Sequence, residues 1–232
     1  KWDGTYKLEP AKTSETLSKG TGSNADINML IIQSLNDVGL VAAPVVLRTR
    51  DEGQLPVNFP SMQKLSSFVV GIVTDAGKNI YIDASSKDGY LNVLPENLLV
   101  ERARLVQKNN RSIWVNLQKL MKSQKSTIID AELTPDGVLK GKQTVRYEGL
   151  AALKYRQEKG IDAFGPDETD TSEFTLQGQV TDGTISICPF PNPMKNNPFK
   201  AEKRKMPVEF ASTGTNRVVV NITLPEGYTL QG

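Results

Sequence analysis

Two residues stand where a chain of this pattern would place chemistry. Asn24 lies in GTGSNADIN, Gly20 to Asn28, between a glycine-rich turn and an apolar periodic run, and Asp83 lies in YIDAS, Tyr81 to Ser85. A glycine turn, a helix start and a hairpin whose second strand carries an acid together suit a cysteine nucleophile in acyl transfer. The helix N-terminus favours a thiolate, while neighbouring strands hold an imidazole and the carboxylate that orients it. Here the middle of that arrangement is empty. The chain has no histidine, which excludes Ser-His, Cys-His and histidine-ligated metal mechanisms within it. Its one cysteine, Cys188, is about 160 positions from Asn24 and reads as a buried or half-buried strand thiol in TISICPF.

The same glycine turn has a second reading as a phosphate cradle. It lacks the lysine, the flanking strand pattern and the spacing of a nucleotide loop. Asp26 and Asn28 suit helix capping and compensation of the helix dipole. Asp83 suits the closing of a turn at a strand end. Asp26, at a helix start, and Asp83, at a strand end, could also converge as an acid pair. Two carboxylates without a third ligand make a poor metal site, so no metal and no cofactor are expected. The tryptophans and tyrosines, including Trp2, Trp114, Tyr81 and Tyr90, show no spacing that indicates a carbohydrate platform.

These residues need a helix and a hairpin to position them. ADINMLIIQSLND, Ala25 to Asp37, predicts the helix, with Ile27, Leu30, Ile31, Ser34, Leu35 and Val38 near helical spacing and Gly39 at its exit. APVVLRTR, Ala43 to Arg50, predicts a strand. SSFVVGIV, Ser66 to Val73, and IYIDAS, Ile80 to Ser85, predict a hairpin across TDAGKN. Its first strand should turn Val69, Gly71 and Val73 to one face and Phe68, Val70 and Ile72 to the other. LNVLPEN should close this first unit, with Glu101 to Asn110 carrying the chain out.

The texture changes near residue 108. Beyond it, IWVNLQKLMK, the two long strand patterns flanking the TPDG turn at Thr134 to Gly137, and SEFTLQGQVTDGTISICPF are mostly alternating or β-branched. GLAALKYRQEKG, Gly149 to Gly160, reads as one helix. The prolines of Pro191 to Pro207 argue against a regular element there, and VEFAS and NRVVVNITLP read as strands. The expected division is a first domain at 1–108 and a β-rich domain at 109–232.

A formal charge of +2, with basic residues scattered among acids, makes nucleic acid a poor partner. No run approaches membrane-spanning length, so this segment is not expected to insert into a membrane. The abrupt start at KWDGTY and stop after LPEGYTLQG read as an excerpt of something longer, with contacts to missing flanking domains expected.

The chain resembles the transglutaminase-like superfamily, in the version found in multidomain Bacteroidetes proteins with β-rich domains alongside. The stretches that carry the resemblance are WDG at Trp2 to Gly4, Leu17 to Gly53, SFVVGIV, YIDAS and the LP at Leu94-Pro95. Residues Leu133 to Arg156, NPFKAEKRKMPVEF and LPEGYTLQG are similar to the β domain that follows it. The resemblance implies an α+β chain: a degenerate, papain-like transglutaminase domain followed by a mostly antiparallel β-sandwich-like domain. It places the family's nucleophile position at Asn24, its histidine position at Phe68, give or take one residue, and its carboxylate at Asp83.

An amide is no nucleophile and a phenyl ring accepts no proton. The resemblance therefore implies a pseudoenzyme in the periplasm or cell envelope, a structural or binding module recognising a peptide, protein or glycan through a vestigial cleft. Asn24, Asp26, Phe68 and Asp83 are the candidate cleft residues. The alternative is a hydrolase or acyl-transferase with a non-standard or partner-completed site.

Overall fold

The computed structural model describes residues 1–56, 58, 61–74, 78–107, 112–191, 203 and 208–231. A short helix α1, Thr13–Lys19, is followed by α2, Asn24–Asp37, and by the strands β1, Val41–Leu47, β2, Ser67–Val73, β3, Ile80–Ile82, β4, Ala103–Val106, and β5, Ser112–Val115. They form an antiparallel sheet in the order β3-β2-β1-β4-β5. Chain contacts divide the molecule into two compact units. The first comprises Lys1–Gln124, Glu148–Glu168 and Phe210–Gly214, and the second comprises the rest.

The glycines of the opening turn serve two local ends. Gly20 closes α1 in the left-handed region at φ 66°, a conformation costly for residues with a Cβ. At Gly22 a Cβ would lie 2.8 Å from Asp26 Cβ, so only glycine lets the chain pass this close to α2. Helix α2 then starts one residue earlier than its apolar pattern suggests. Ser23 is its N-cap, and a reciprocal capping box links the Ser23 hydroxyl with the Asp26 backbone N–H and the Asp26 carboxylate with the Ser23 backbone N–H. At the other end, Asn36 accepts from Ala42 N–H and donates to the Ala42 carbonyl, which clips α2 to the start of β1.

Strand β2 is buried along both faces. Val69 and Val73 join one core with Val45, Leu47 and Leu105, while Phe68, Val70 and Ile72 join a second core with Ala25 and Ile32 of α2. This is the two-sided alternation expected of SFVVGIV. Pro44 is tolerated in the central strand β1 because β4 pairs only with Val45–Leu47, leaving a single ladder neighbour at the proline.

The first core continues beyond residue 108. Val115 of β5, then Leu117 and Met121, and Leu150 and Leu153 of α3, Leu150–Lys159, all belong to it. The expected boundary at 108/109 therefore moves: residues 112–124 and α3 fall in unit 1, because Leu105 and its neighbours need the side chains of Val115, Leu117, Met121, Leu150 and Leu153 as their cover. For the same reason Ala103 to Val106 do not lead the chain out of the unit but pair with β1 and β5.

Arg156 of α3 is fully buried. Its guanidinium donates to the Glu168 carboxylate at 3.1 Å and to the carbonyls of Asp88 and Gly165, each at 3.0 Å, and so holds the loop that follows β3.

Unit 2 is built on the strands β6, Ser123–Leu133, β7, Val138–Gly149, β8, Asp167–Gln177, and β11, Gly214–Thr223, in the order β11-β6-β7-β8. The TPDG turn joins β6 to β7, with Gly137 N–H donating to the Thr134 carbonyl at 2.9 Å. A small hairpin of β9, Gln179–Thr181, and β10, Thr184–Ser186, turns through Asp182 and Gly183, both at positive φ. Ile129, Ala131 and Leu139 form the core of the four-stranded sheet with the part-buried Phe174 and Val220.

Two expectations fail here. Cys188 is exposed, because β10 ends at Ser186 and the chain leaves the ladder before reaching the thiol. VEFAS, residues 208–212, forms no strand. Apart from Pro191 and Lys203, the stretch from 191 to 207 lies outside the described residues, as does the centre of the TDAGKN turn at 75–77.

Candidate functional site

Asn24, Phe68 and Asp83 come together, but through a buried hydrogen-bond chain rather than around an open groove. Asn24 begins α2 with its side chain fully buried. Its Oδ1 accepts from Lys7 N–H at 2.8 Å, and its Nδ2 donates to Ser67 Oγ at 2.6 Å and to the Phe68 carbonyl at 3.2 Å. One turn later, Asn28 Nδ2 donates to the same carbonyl at 2.9 Å and to Asp83 Oδ1 at 3.0 Å, while its Oδ1 accepts from Ala84 N–H at 2.8 Å. Asp83 Oδ1 further accepts from the Ser85 hydroxyl at 2.7 Å. The inward stripe of α2 thus begins polar, with Asn24 and Asn28, and becomes apolar at Ile32, the i, i+4, i+8 row that a helix presents to one neighbour.

At Phe68 it is the backbone that takes part. The phenyl ring is 2% exposed and packs with Ala25 and Ile32, a burial that stabilises by about 1.5–3 kcal/mol. The side chain that meets Asn24 from β2 is Ser67, one residue earlier. Asp26 lies apart from this chain of bonds. Its carboxylate accepts from Ser23 N–H, Ser23 Oγ and Ala11 N–H, so it caps α2 and joins neither Asn24 nor Asp83. Asn28, expected beside it as a cap, instead bridges helix and strand.

Burial pushes the Asp83 carboxyl above the ordinary carboxylate range, against the hydrogen bonds from Ser85 and Asn28, which favour its ionised form. Its Oδ2 is buried and has no hydrogen-bond partner in the protein. Burial, together with the nearby carboxylates of Asp83 and Asp51, pushes the Tyr6 phenol up to about 12. At Asp26 burial opposes ionisation, but the three hydrogen bonds outweigh it and hold the carboxyl below its usual range.

A cavity of about 730 Å³ opens beside Asp83, within unit 1. Of the four residues expected to line a cleft, only Asp83 does so; Asn24 and Phe68 are sealed behind it and Asp26 is turned to the cap. The wall is completed by residues not among the expected cleft residues, chiefly Trp2, Tyr6, Ile27, Leu30 and Ser86. Trp2 and Tyr6 meet edge to face with ring centroids 5.3 Å apart. Their i, i+4 spacing lies in irregular chain, where periodicity gives no signal. Among the described residues no three of His, Cys, Asp and Glu cluster as a metal site would require. Among the same residues no helix is long and apolar enough to cross a membrane, which says nothing of strands.

Residues 182–232, which include β10 and β11, match a family model described as "Domain of Unknown Function with solved-structure structure (DUF3858)". No curated protein and no solved structure matches the chain. The fold is a mixed α+β chain with several sheets, and the site is a buried amide and carboxyl network under a cavity.

Proposed function

We propose that unit 1 is a transglutaminase-like module without acyl-transfer chemistry, and that the chain serves as a structural or binding part of a multidomain cell-envelope protein. The observation that carries this reading is the state of Asn24. Its carboxamide is fully buried and makes three hydrogen bonds, so the group at the position of a nucleophile is spent on joining α2 to β2. With no histidine in the chain and Cys188 exposed on unit 2, neither a thiolate nor its base stands at that position. The resemblance of Trp2 to Arg104 to the transglutaminase-like superfamily supports the class, and the periplasmic or envelope setting rests on that resemblance.

The test is amide hydrolysis and amine incorporation on a glutamine peptide, with the wild-type chain and with the double variant Asn24→Cys, Phe68→His. Neither should turn over. A thiol at the hydrogen-bonded position of Asn24 and an imidazole in the apolar packing site of the Phe68 ring still lack the surroundings that orient a catalytic pair. Thiol-dependent turnover by the double variant would show a catalytic scaffold that is intact apart from two side chains, and turnover by the wild type would overturn the reading.

A further inference from the structure

We propose that residues 1–11 are an autoinhibitory strap: they fill a peptide-binding groove on the first turn of α2 and open as one unit while α2 and the sheet stay folded. The proposal rests on the binding-module reading above and gives that reading a ligand class and a gate. What selects a peptide is the way the groove is filled. Asp3 N–H donates to the Gly22 carbonyl at 2.9 Å, Gly22 N–H to the Lys1 carbonyl at 3.1 Å and Asn24 N–H to the Thr5 carbonyl at 3.1 Å. Lys7 N–H donates to Asn24 Oδ1 at 2.8 Å, and Ala11 N–H to Asp26 Oδ1 at 2.6 Å. Each of these five bonds takes a main-chain group from the strap, three as donors and two as acceptors. The groove thus matches a run of backbone N–H and C=O groups, which an ion or a sugar does not present.

The strap is held less firmly than what it covers. None of residues 1–11 is buried; Trp2, Tyr6, Leu8 and Pro10 are half-buried and the others exposed. Its anchors are Tyr6, against the core of Leu47 and Leu105, and Leu8, against the core of Ala25 and Phe68. Beneath it Ser23, Asn24 and Asn28 are fully buried. A segment with few buried apolar contacts opens locally at a cost below that of global unfolding. Opening frees the N–H and Oδ1 of Asn24 and the Oδ1 of Asp26, and withdraws Trp2 and Tyr6 from the wall of the cavity. Helix α2 survives it, because Ser23 and Asp26 keep their capping box and Asn24 keeps its bonds to Ser67 and Phe68.

The experiment is native-state hydrogen exchange of the whole chain, read by NMR, followed by titration with the synthetic peptide KWDGTYKLEPA. The amides of Asp3, Lys7, Ala11, Gly22 and Asn24 should share one opening free energy, lower than that of Ile32 inside α2. Tyr6→Ala with Leu8→Ala loosens the strap, and should speed exchange of those five amides about ten-fold or more while leaving Ile32 unchanged. The peptide should bind this double variant about ten-fold or more tighter than the wild type, because the wild-type strap competes as an intramolecular ligand. Binding should restore protection at Gly22 and Asn24, and a peptide of the same composition in shuffled order should not bind. Leu8→Ala alone serves, with the same direction of change, where the double variant does not fold.

The proposal is overturned if the five amides exchange only with global unfolding or with unrelated free energies, a result the wild-type chain gives without any variant. It is also overturned if the peptide binds neither chain, binds both alike, or is matched by the shuffled peptide. These outcomes read opening and binding, whereas the non-catalytic reading falls to turnover of the glutamine peptide, so either can fail without the other.

Discussion

Asp83 and Asp26 lie in the same unit yet bias stability in opposite directions as pH changes. The Asp83 carboxyl is raised in the folded state relative to its usual 3.8, so between 3.8 and its folded value the native chain keeps a proton that the unfolded chain has lost. Its contribution is therefore fully present below 3.8 and declines as pH rises through the folded pKa. Asp26 is lowered, so its contribution is present above 3.8 and is lost as pH falls through its folded pKa. Asp83→Asn keeps the acceptor for Asn28 and Ser85 and removes the ionisation. Urea unfolding between about pH 4 and 7 should show the wild type losing stability relative to this variant as pH rises, whatever their offset at pH 4. Parallel curves would mean that Asp83 titrates as it does in the unfolded chain. Asn24→Ala belongs at the same scale. It strips the partner from the Lys7 N–H and from Ser67 Oγ, and about 1–3 kcal/mol should be lost, because buried polar groups are left unpaired. A loss below about 0.5 kcal/mol would mean that water replaces the amide without penalty.

At the scale of elements, α2 is held at its start by a cap and at its end by a clip. Ser23→Ala removes the hydroxyl that accepts from Asp26 N–H and donates to its carboxylate, and should cost about 1 kcal/mol in chemical denaturation, within the range for N-caps. Ser23→Asp should restore less than the full amount, since it sets a second carboxylate beside Asp26. Helix α2 and the β2–β3 hairpin were legible in the sequence because their apolar residues repeat at helical and strand periods over many positions. Helix α1 was not, since only Thr16 of TSETLSK is buried and no apolar period exists to read. Strand β4 was hidden in a charged stretch, where only Ala103 and Leu105 face inward and β1 supplies the pairing. For the site, the resemblance pointed to Asn24, Phe68 and Asp83, but not to how they are joined. That joining depends on Asn28, four residues beyond Asn24, and on Ser67, whose roles appear only when α2 is laid against β2. Trp2 and Tyr6 carry no periodic signal, because the chain around them has no regular period.

For the whole molecule, the consequence is that unit 1 is not contiguous in sequence. Ending the chain at residue 110 removes Val115, Leu117, Met121, Leu150, Leu153 and Ala211, all of them buried in the core that also holds Leu47 and Leu105. At about 1.5–3 kcal/mol for each large side chain, that loss is comparable with the 5–15 kcal/mol by which a domain is stable. A fragment of residues 1–110 should therefore show no cooperative thermal transition. Loss of core, rather than truncation as such, is the cause, and a second fragment separates the two. The chain leaves unit 1 after Gln124 and returns at Glu148. Lys122 and Gly149 lie so close there that a Cβ on Gly149 would collide with the Lys122 carbonyl oxygen. A four-residue glycine-serine turn can therefore replace residues 125–147 in a fragment ending at Glu168, which retains every one of those core residues except Ala211. Calorimetry should give this shorter-looped fragment a single cooperative transition. A cooperative melt of 1–110 would show that the sheet and α2 suffice without α3, and a failure of the bridged fragment would mean that unit 1 also needs its Phe210–Gly214 segment.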